Sequence, residues 1–79
     1  MKFKRIERER WAAMVGRINV HIWRLDNRDT WMVDAWLCDG NDIIERWHCC
    51  FAKWCDAAET AERFVAEIQA EAKVRKWKH

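Results

Sequence analysis

Residues Thr30 to Ala52, TWMVDAWLCDGNDIIERWHCCFA, decide how this chain folds. Two apolar runs flank an Asp-Gly-Asn turn signal, and aromatic or β-branched residues alternate with polar ones in both. That pattern predicts a β-hairpin. With a short loop at Asp39-Gly40-Asn41, one face collects Trp31, Val33, Ala35 and Leu37 opposite Ile43, Glu45, Trp47, Cys49 and Phe51. The other collects Met32, Asp34, Trp36 and Cys38 opposite Ile44, Arg46, His48 and Cys50. This register sets Asp34 across from Arg46, an opposite-charge pair of the kind that stabilises sheets by a few tenths of a kcal/mol or more. A slip of one residue would mix Trp31 and Val33 with Arg46 and His48, so the first pairing is preferred.

Upstream, Gly16-Arg17 stands between Val15 and Ile18 as a two-residue loop with Gly first, which suits a type II′ hairpin turn. Pairing outward matches Val15 with Ile18, Ala13 with Val20 and Trp11 with Ile22, all apolar. The reverse side holds Met14 with Asn19, Ala12 with His21, and Arg10 with Trp23. One apolar and one mixed side is what a half-buried antiparallel sheet requires. Asp26-Asn27-Arg28-Asp29 reads as the next turn, matching Ile22 with Trp31, Val20 with Val33 and Ile18 with Ala35, and setting Arg24 opposite Asp29. The opening MKFKRIERER fits either a helical stripe of Phe3, Ile6, Arg10 and Trp11 or a short edge strand; the strand is preferred, in part because Lys and Arg at an edge discourage edge-to-edge pairing.

Downstream the period changes. Asp56-Ala-Ala-Glu59 has the form of an N-cap with a capping-box Glu, and Trp54 stands near the helix entry. Ala57, Ala61, Phe64, Val65, Ile68 and Ala72 then recur at three and four residues, predicting an amphipathic helix of about five turns. Acidic residues crowd its start, while Lys73, Arg75, Lys76 and Lys78 crowd its end, matching the macrodipole. The expected architecture is α+β in two layers: a four- or five-stranded antiparallel meander, with one long C-terminal helix on one face. It forms a single domain over residues 1–79, sheet about 2–52 and helix about 56–77.

One helix covers only one face of such a sheet. The other is expected to hold His21, Trp23, Met32, Trp36, Ile44, Arg46 and His48, with Arg17 at the nearby turn. Contiguous apolar patches of that kind mark interaction sites, and Trp and Arg are enriched among binding hot spots. These eight residues are the candidate partner-binding set. A homodimer in which two such faces cover each other is a further expectation.

Composition bounds the chemistry. A chain of 79 residues buries only about 60% of the surface its unfolded form exposes, and seven Trp and three Phe supply much of the apolar area. Net charge is +2, too little to imply nucleic acid by bulk charge. Residues 1–24 and 63–79 are basic while 25–62 are acidic, a bipolar arrangement. The charged N-terminus and the lack of a long apolar run argue against a signal peptide or a membrane span, so a cytoplasmic location is expected. In that compartment Cys38, Cys49, Cys50 and Cys55 are expected as thiols. No cofactor is expected, and zinc is disfavoured because Cys49 points away from His48 and Cys50 on a strand and no Cys-x-x-Cys knuckle occurs. Ser is absent, both Gly residues serve turns, and no third group orients a Cys nucleophile; no catalytic residue is nominated and an enzyme is not expected.

Two function classes remain: a protein-binding inhibitor or adaptor, and a nucleic-acid binder in which Trp23, Trp36 and His21 stack bases while Arg17, Arg46 and the basic termini meet phosphates. The opening Met1-Lys-Phe-Lys-Arg-Ile6, the Trp11-Ala-Ala-Met-Val-Gly16 run into an alternating strand, and Phe51 leading to the Asp56-Ala-Ala helix resemble the plan of small proteins carried by phages and mobile elements, anti-CRISPR inhibitors among them. That resemblance implies a stoichiometric inhibitor of a host CRISPR-Cas effector complex, acting in the host cytoplasm. It departs in charge, since many such inhibitors imitate nucleic acid by strong acidity and this chain is mildly basic.

Overall fold

Alternating apolar residues generate five strands, β1 (Lys4–Glu7), β2 (Arg10–Val15), β3 (Ile18–Arg24), β4 (Trp31–Asp39) and β5 (Asp42–Cys50), followed by the helix α1 (Trp54–Val74). The computed structural model describes residues 1–25, 30–50 and 53–76. The strands form one sheet in the order β1-β2-β3-β4-β5, every neighbouring pair antiparallel. Helix α1 packs across β3, β4 and β5. The fold is thus the expected two-layer α+β meander, with β1 confirmed as a strand at one edge.

The core lies between sheet and helix. Ile18, Val20, Ile22, Val33, Ala35 and Leu37 are sealed beneath Ala57, Ala61, Phe64, Val65, Ile68 and Ala72. The six helical positions are those whose three- and four-residue spacing forms one stripe.

Three registers show how turn chemistry sets the faces. The β2–β3 pairing is the expected one, with Val15 opposite Ile18, Ala13 opposite Val20 and Trp11 opposite Ile22. At this turn Gly16 takes the left-handed φ of 60° that its missing Cβ permits. The β3–β4 pairing differs from expectation by two residues: Ile22 meets Val33 and Val20 meets Ala35. Because two is a full pleat period, the faces are unchanged. Arg24 therefore stands opposite Trp31 rather than Asp29. It reaches Glu9 instead, through an ion pair at 3.8 Å and its own backbone N–H donating to the Glu9 carbonyl at 2.9 Å. The expected turn at Asp26–Asp29 lies outside the described residues.

The β4–β5 hairpin corrects the sequence reading. Its loop is two residues, Gly40-Asn41, closed by Asp39 opposite Asp42, and the register is displaced by one. Asp34 faces Trp47, Ala35 faces Arg46 and Leu37 faces Ile44, so the Asp34–Arg46 pair does not form. From Asp42 to Cys49, the β5 side chains change sides as a result. Ile44 becomes part of the core beside Leu37, a burial worth roughly 1.5–3 kcal/mol, against a few tenths for the cross-strand ion pair. Arg46 finds partners on the helix, donating to Glu71 at 2.8 Å and lying 3.9 Å from Glu67. Its hydrogen bond holds the Glu71 carboxyl below the usual glutamate range. What the arrangement leaves in water is Ile43, 51% exposed, and Trp47, 64% exposed.

The helix starts three residues earlier than its capping signal predicts. Lys53 is the N-cap, without a side-chain cap bond, and Asp56 falls inside the first turn, where its charge suits the positive helix end. Trp54 explains the early start. Its ring packs against Trp11 at 5.1 Å, Trp31 at 5.4 Å and Phe3 at 5.4 Å, so burial fixes the first helical residue where capping does not. At the other end the helix closes at Val74, short of the expected 77. Arg75 donates its N–H to the Glu71 carbonyl, and Lys76 turns left-handed at φ 59°.

These contacts rank differently in energy. Trp54→Ala removes the ring that joins Phe3, β2, β4 and α1, and should lower unfolding stability by about 3 kcal/mol. Arg46→Met, at a partly exposed ion pair, should cost less than about 1 kcal/mol. Urea unfolding of the two variants checks the order.

Candidate binding face

The side of the sheet away from α1 carries the alternate residues of each strand. In the middle are His21 and Trp23 from β3, Met32, Asp34 and Trp36 from β4, and Glu45 and Trp47 from β5. Arg10 and Met14 flank them on β2, and Met14 is 65% exposed. Of the expected partner-binding residues, His21, Trp23, Met32 and Trp36 lie together here. Arg17 sits at the β2–β3 turn and donates to the Cys38 carbonyl at 3.4 Å. Ile44, Arg46 and His48 do not belong to this face: the two-residue Gly40-Asn41 turn sends them to the helix side, Ile44 into the core and Arg46 to Glu71.

Glu45 and Trp47 take their place, and these the sequence reading had assigned to the core side. The missed signal is the one read correctly at Gly16: a Gly-first pair favours a two-residue hairpin. Applied to Gly40-Asn41, it gives the observed register.

Interlocking side chains organise the face around His21. The Arg10 guanidinium donates to His21 Nδ1 through Nη2 at 2.9 Å and Nε at 3.2 Å, which requires a neutral ring carrying its proton on Nε2. Burial, then the Arg10 charge, hold the His21 pKa below its ordinary value, partly offset by Glu7. The imidazole packs on Trp36 at 5.0 Å, while Arg10 also lies over Trp23 at 5.0 Å, a cation–π contact. Arg10, missed as a site residue, thereby ties Trp23 to the His21–Trp36 pair.

Asp34 and Glu45 bring negative charge into the same patch. Across the β4–β5 pairing Asp34 stands beside Trp47 and Trp36 beside Glu45, so acids and indoles alternate. Asp34 Oδ1 is buried with no hydrogen-bond partner. Burial first, then hydrogen bonding and repulsion from Glu45, push the Asp34 carboxyl up to about 6, against opposing effects of the Ala35 backbone and Arg10. Toward β1 the face becomes basic. Lys2, Lys4, Ile6, Met14, Asn19 and His21 line a shallow groove of about 360 Å³ there.

Cys49 and Met32 place their sulfurs 3.8 Å apart, and Cys38 is an exposed thiol. Among the described residues no three His, Cys, Asp or Glu side chains come together as a metal-ligand set. No helix among them is long and apolar enough to cross a membrane. Comparison with protein-family models, with curated proteins and with solved structures gave no match.

The raised Asp34 carboxyl has a consequence for stability. The folded chain keeps this proton up to about pH 6, whereas an ordinary aspartate loses it near 3.8. Asp34 therefore favours folding fully below the lower value, and the contribution is lost as pH rises through the upper one. Asp34→Asn should raise the melting temperature above pH 6 and leave the difference near zero at pH 4, as thermal unfolding followed by circular dichroism across that range would show.

Proposed function

We propose that this protein is a non-enzymatic, stoichiometric binding protein that docks a larger protein or nucleoprotein complex on the open face of its sheet. The observation that carries this reading is the patch itself: Trp23, Trp36 and Met32 half-buried, with Trp47, Met14 and Ile43 in water, on the side that α1 does not cover. Fixed aromatic rings offer large contact area at low entropic cost, and Trp and Arg are the residue types that dominate binding energy. The Arg10–His21–Trp36 contacts hold two of those side chains in place before any partner arrives, which lowers the cost of binding.

The resemblance to small inhibitors of phages and mobile elements supplies the kind of target. On that reading the partner is a host CRISPR-Cas effector complex and the site of action the host cytoplasm. Nucleic-acid binding through the same face is the second reading, and the groove between Lys2, Lys4 and His21 favours it. Asp34 and Glu45 weigh against it, because phosphates approaching Trp36 and Trp47 would meet their charge.

Adding the purified chain to a CRISPR effector and following cleavage of its DNA target tests the proposal. Inhibition should saturate at a fixed molar ratio and depend weakly on salt, whereas direct nucleic-acid binding falls steeply as salt rises. Trp36→Arg should weaken inhibition about thirtyfold or more, the loss of a hot spot worth ~2 kcal/mol, with the helical circular dichroism signal kept. An effector unaffected by the parent chain removes the target class. Undiminished inhibition by the Trp36 variant removes the face.

A further inference from the structure

The two edges of the sheet are built differently. Strand β1, at one edge, has four residues, all exposed, three of them charged, and its register breaks at a bulge between Arg5 and Glu7. Shortness, charge and a bulge are the devices that keep a sheet edge from pairing with another chain. Strand β5, at the other edge, carries charge at Asp42, Glu45 and Arg46 but is neither short nor bulged. It runs nine residues, Asp42–Cys50, in unbroken register with β4, and contains no Gly or Pro.

The turn fixes which backbone groups are left over. A two-residue hairpin is closed by a hydrogen-bonded pair, here Asp39 and Asp42. The even-numbered residues of β5 therefore bond to β4. The N–H and C=O groups of Ile43, Glu45, Trp47 and Cys49 point away from the sheet. Among the described residues, no backbone hydrogen bond outside the sheet pairing reaches them. The Glu45 carbonyl accepts from Arg46 Nη1 at 2.9 Å, which shows that it faces outward. The two large apolar side chains of β5 that lie in water, Ile43 and Trp47, belong to these same outward-bonding residues.

We infer that β5 pairs antiparallel with β5 of a second copy, joining two sheets across a two-fold axis into a ten-stranded one. Self-complementarity selects this occupant and this direction. With the two-fold at Glu45, Asp42 stands opposite His48 of the second copy on the helix side and exposed Ile43 opposite its exposed Trp47 on the aromatic side, while the two Glu45 side chains meet at the axis. A two-fold axis normal to the sheet keeps both helices on one side and both aromatic faces on the other. Such pairing also brings Trp47 and Ile43 against the partner's strand, covering the apolar area that the β4–β5 register leaves exposed. Because an edge and not a face is used, the part of the docking surface formed by Trp23, Met32 and Trp36 remains open, and is present twice.

Sedimentation equilibrium and amide exchange followed by NMR test this on the parent chain. A monomer–dimer equilibrium is expected, with the amides of Ile43, Glu45, Trp47 and Cys49 exchanging roughly tenfold or more slower in concentrated than in dilute solution. Glu45→Pro, which removes an outward N–H at an edge position where Pro is tolerated, should give a monomer; Trp36→Arg should remain dimeric. A parent chain monomeric at every concentration overturns the inference. So do those four amides exchanging freely in the dimer, or gaining protection only when a foreign extended peptide is added. Should Glu45→Pro fail to fold, the exchange pattern of the parent chain still decides.

Discussion

One helix is asked to cover a five-stranded sheet, and it packs mainly on β3, β4 and β5, on one side. Everything else in the molecule follows from that shortage of cover. The stripe from Ala57 to Ala72 seals the alternate residues of the central strands, and its small residues, Ala57, Ala61 and Ala72, let the helix sit close to the sheet. Where the helix begins there is too little aliphatic material to close the layer. Trp11, Trp31 and Trp54, joined by Phe3, fill that end with rings in edge and tilted contact. Among the described residues no second helix covers the opposite face, so that face must be stabilised by its own side chains or by another molecule.

The open face shows both solutions. Around His21 it is self-sufficient: Arg10 satisfies Nδ1, and the two indoles Trp23 and Trp36 take up the guanidinium and the imidazole. Toward β5 it is not. Asp34 lacks a partner for Oδ1 and stands beside another carboxylate, an arrangement that works against the folded state near neutral pH. The nearest guanidinium on the facing strand, Arg46, is turned to the helix and engaged by Glu71. Negative charge is thus held among Trp36 and Trp47, offset in part by Arg10, next to a basic groove near β1. That division gives the face a direction, which any docking partner must match.

Most of this architecture is legible in the sequence because parity is robust. An error of two residues in pairing β3 with β4 leaves each side chain on its proper face, so Val20, Ile22, Val33 and Ala35 are read as core even though their partners are misassigned. An error of one reverses everything, and that is what separates the expected from the observed β5. Weighing a visible ion pair, Asp34 with Arg46, above turn geometry leads to the wrong face for Ile44, Arg46, His48 and Trp47. The ion pair was replaceable, since Glu67 and Glu71 on the helix serve Arg46 as well, but those residues are more than twenty positions away and no local pattern shows them. The helix start is misread for a related reason. A capping motif at Asp56 is local, whereas the three aromatic contacts that fix Trp54 come from β2, β4 and the residue before β1.

The same one-residue choice that buries Ile44 also creates the surface from which both functional inferences are drawn. It expels Trp47 and Ile43 from the core side, enlarging the aromatic face, and it does so on the strand whose outer edge has no neighbouring strand among the described residues. A register chosen only for the interior would have little reason to place an indole in water at a sheet edge when Ala or Thr would serve there. Exposed Trp is costly in solubility, and an unblunted edge strand is costly in aggregation. Finding both on β5, while β1 is short, charged and bulged, points to a surface kept available for contact rather than one left over from packing.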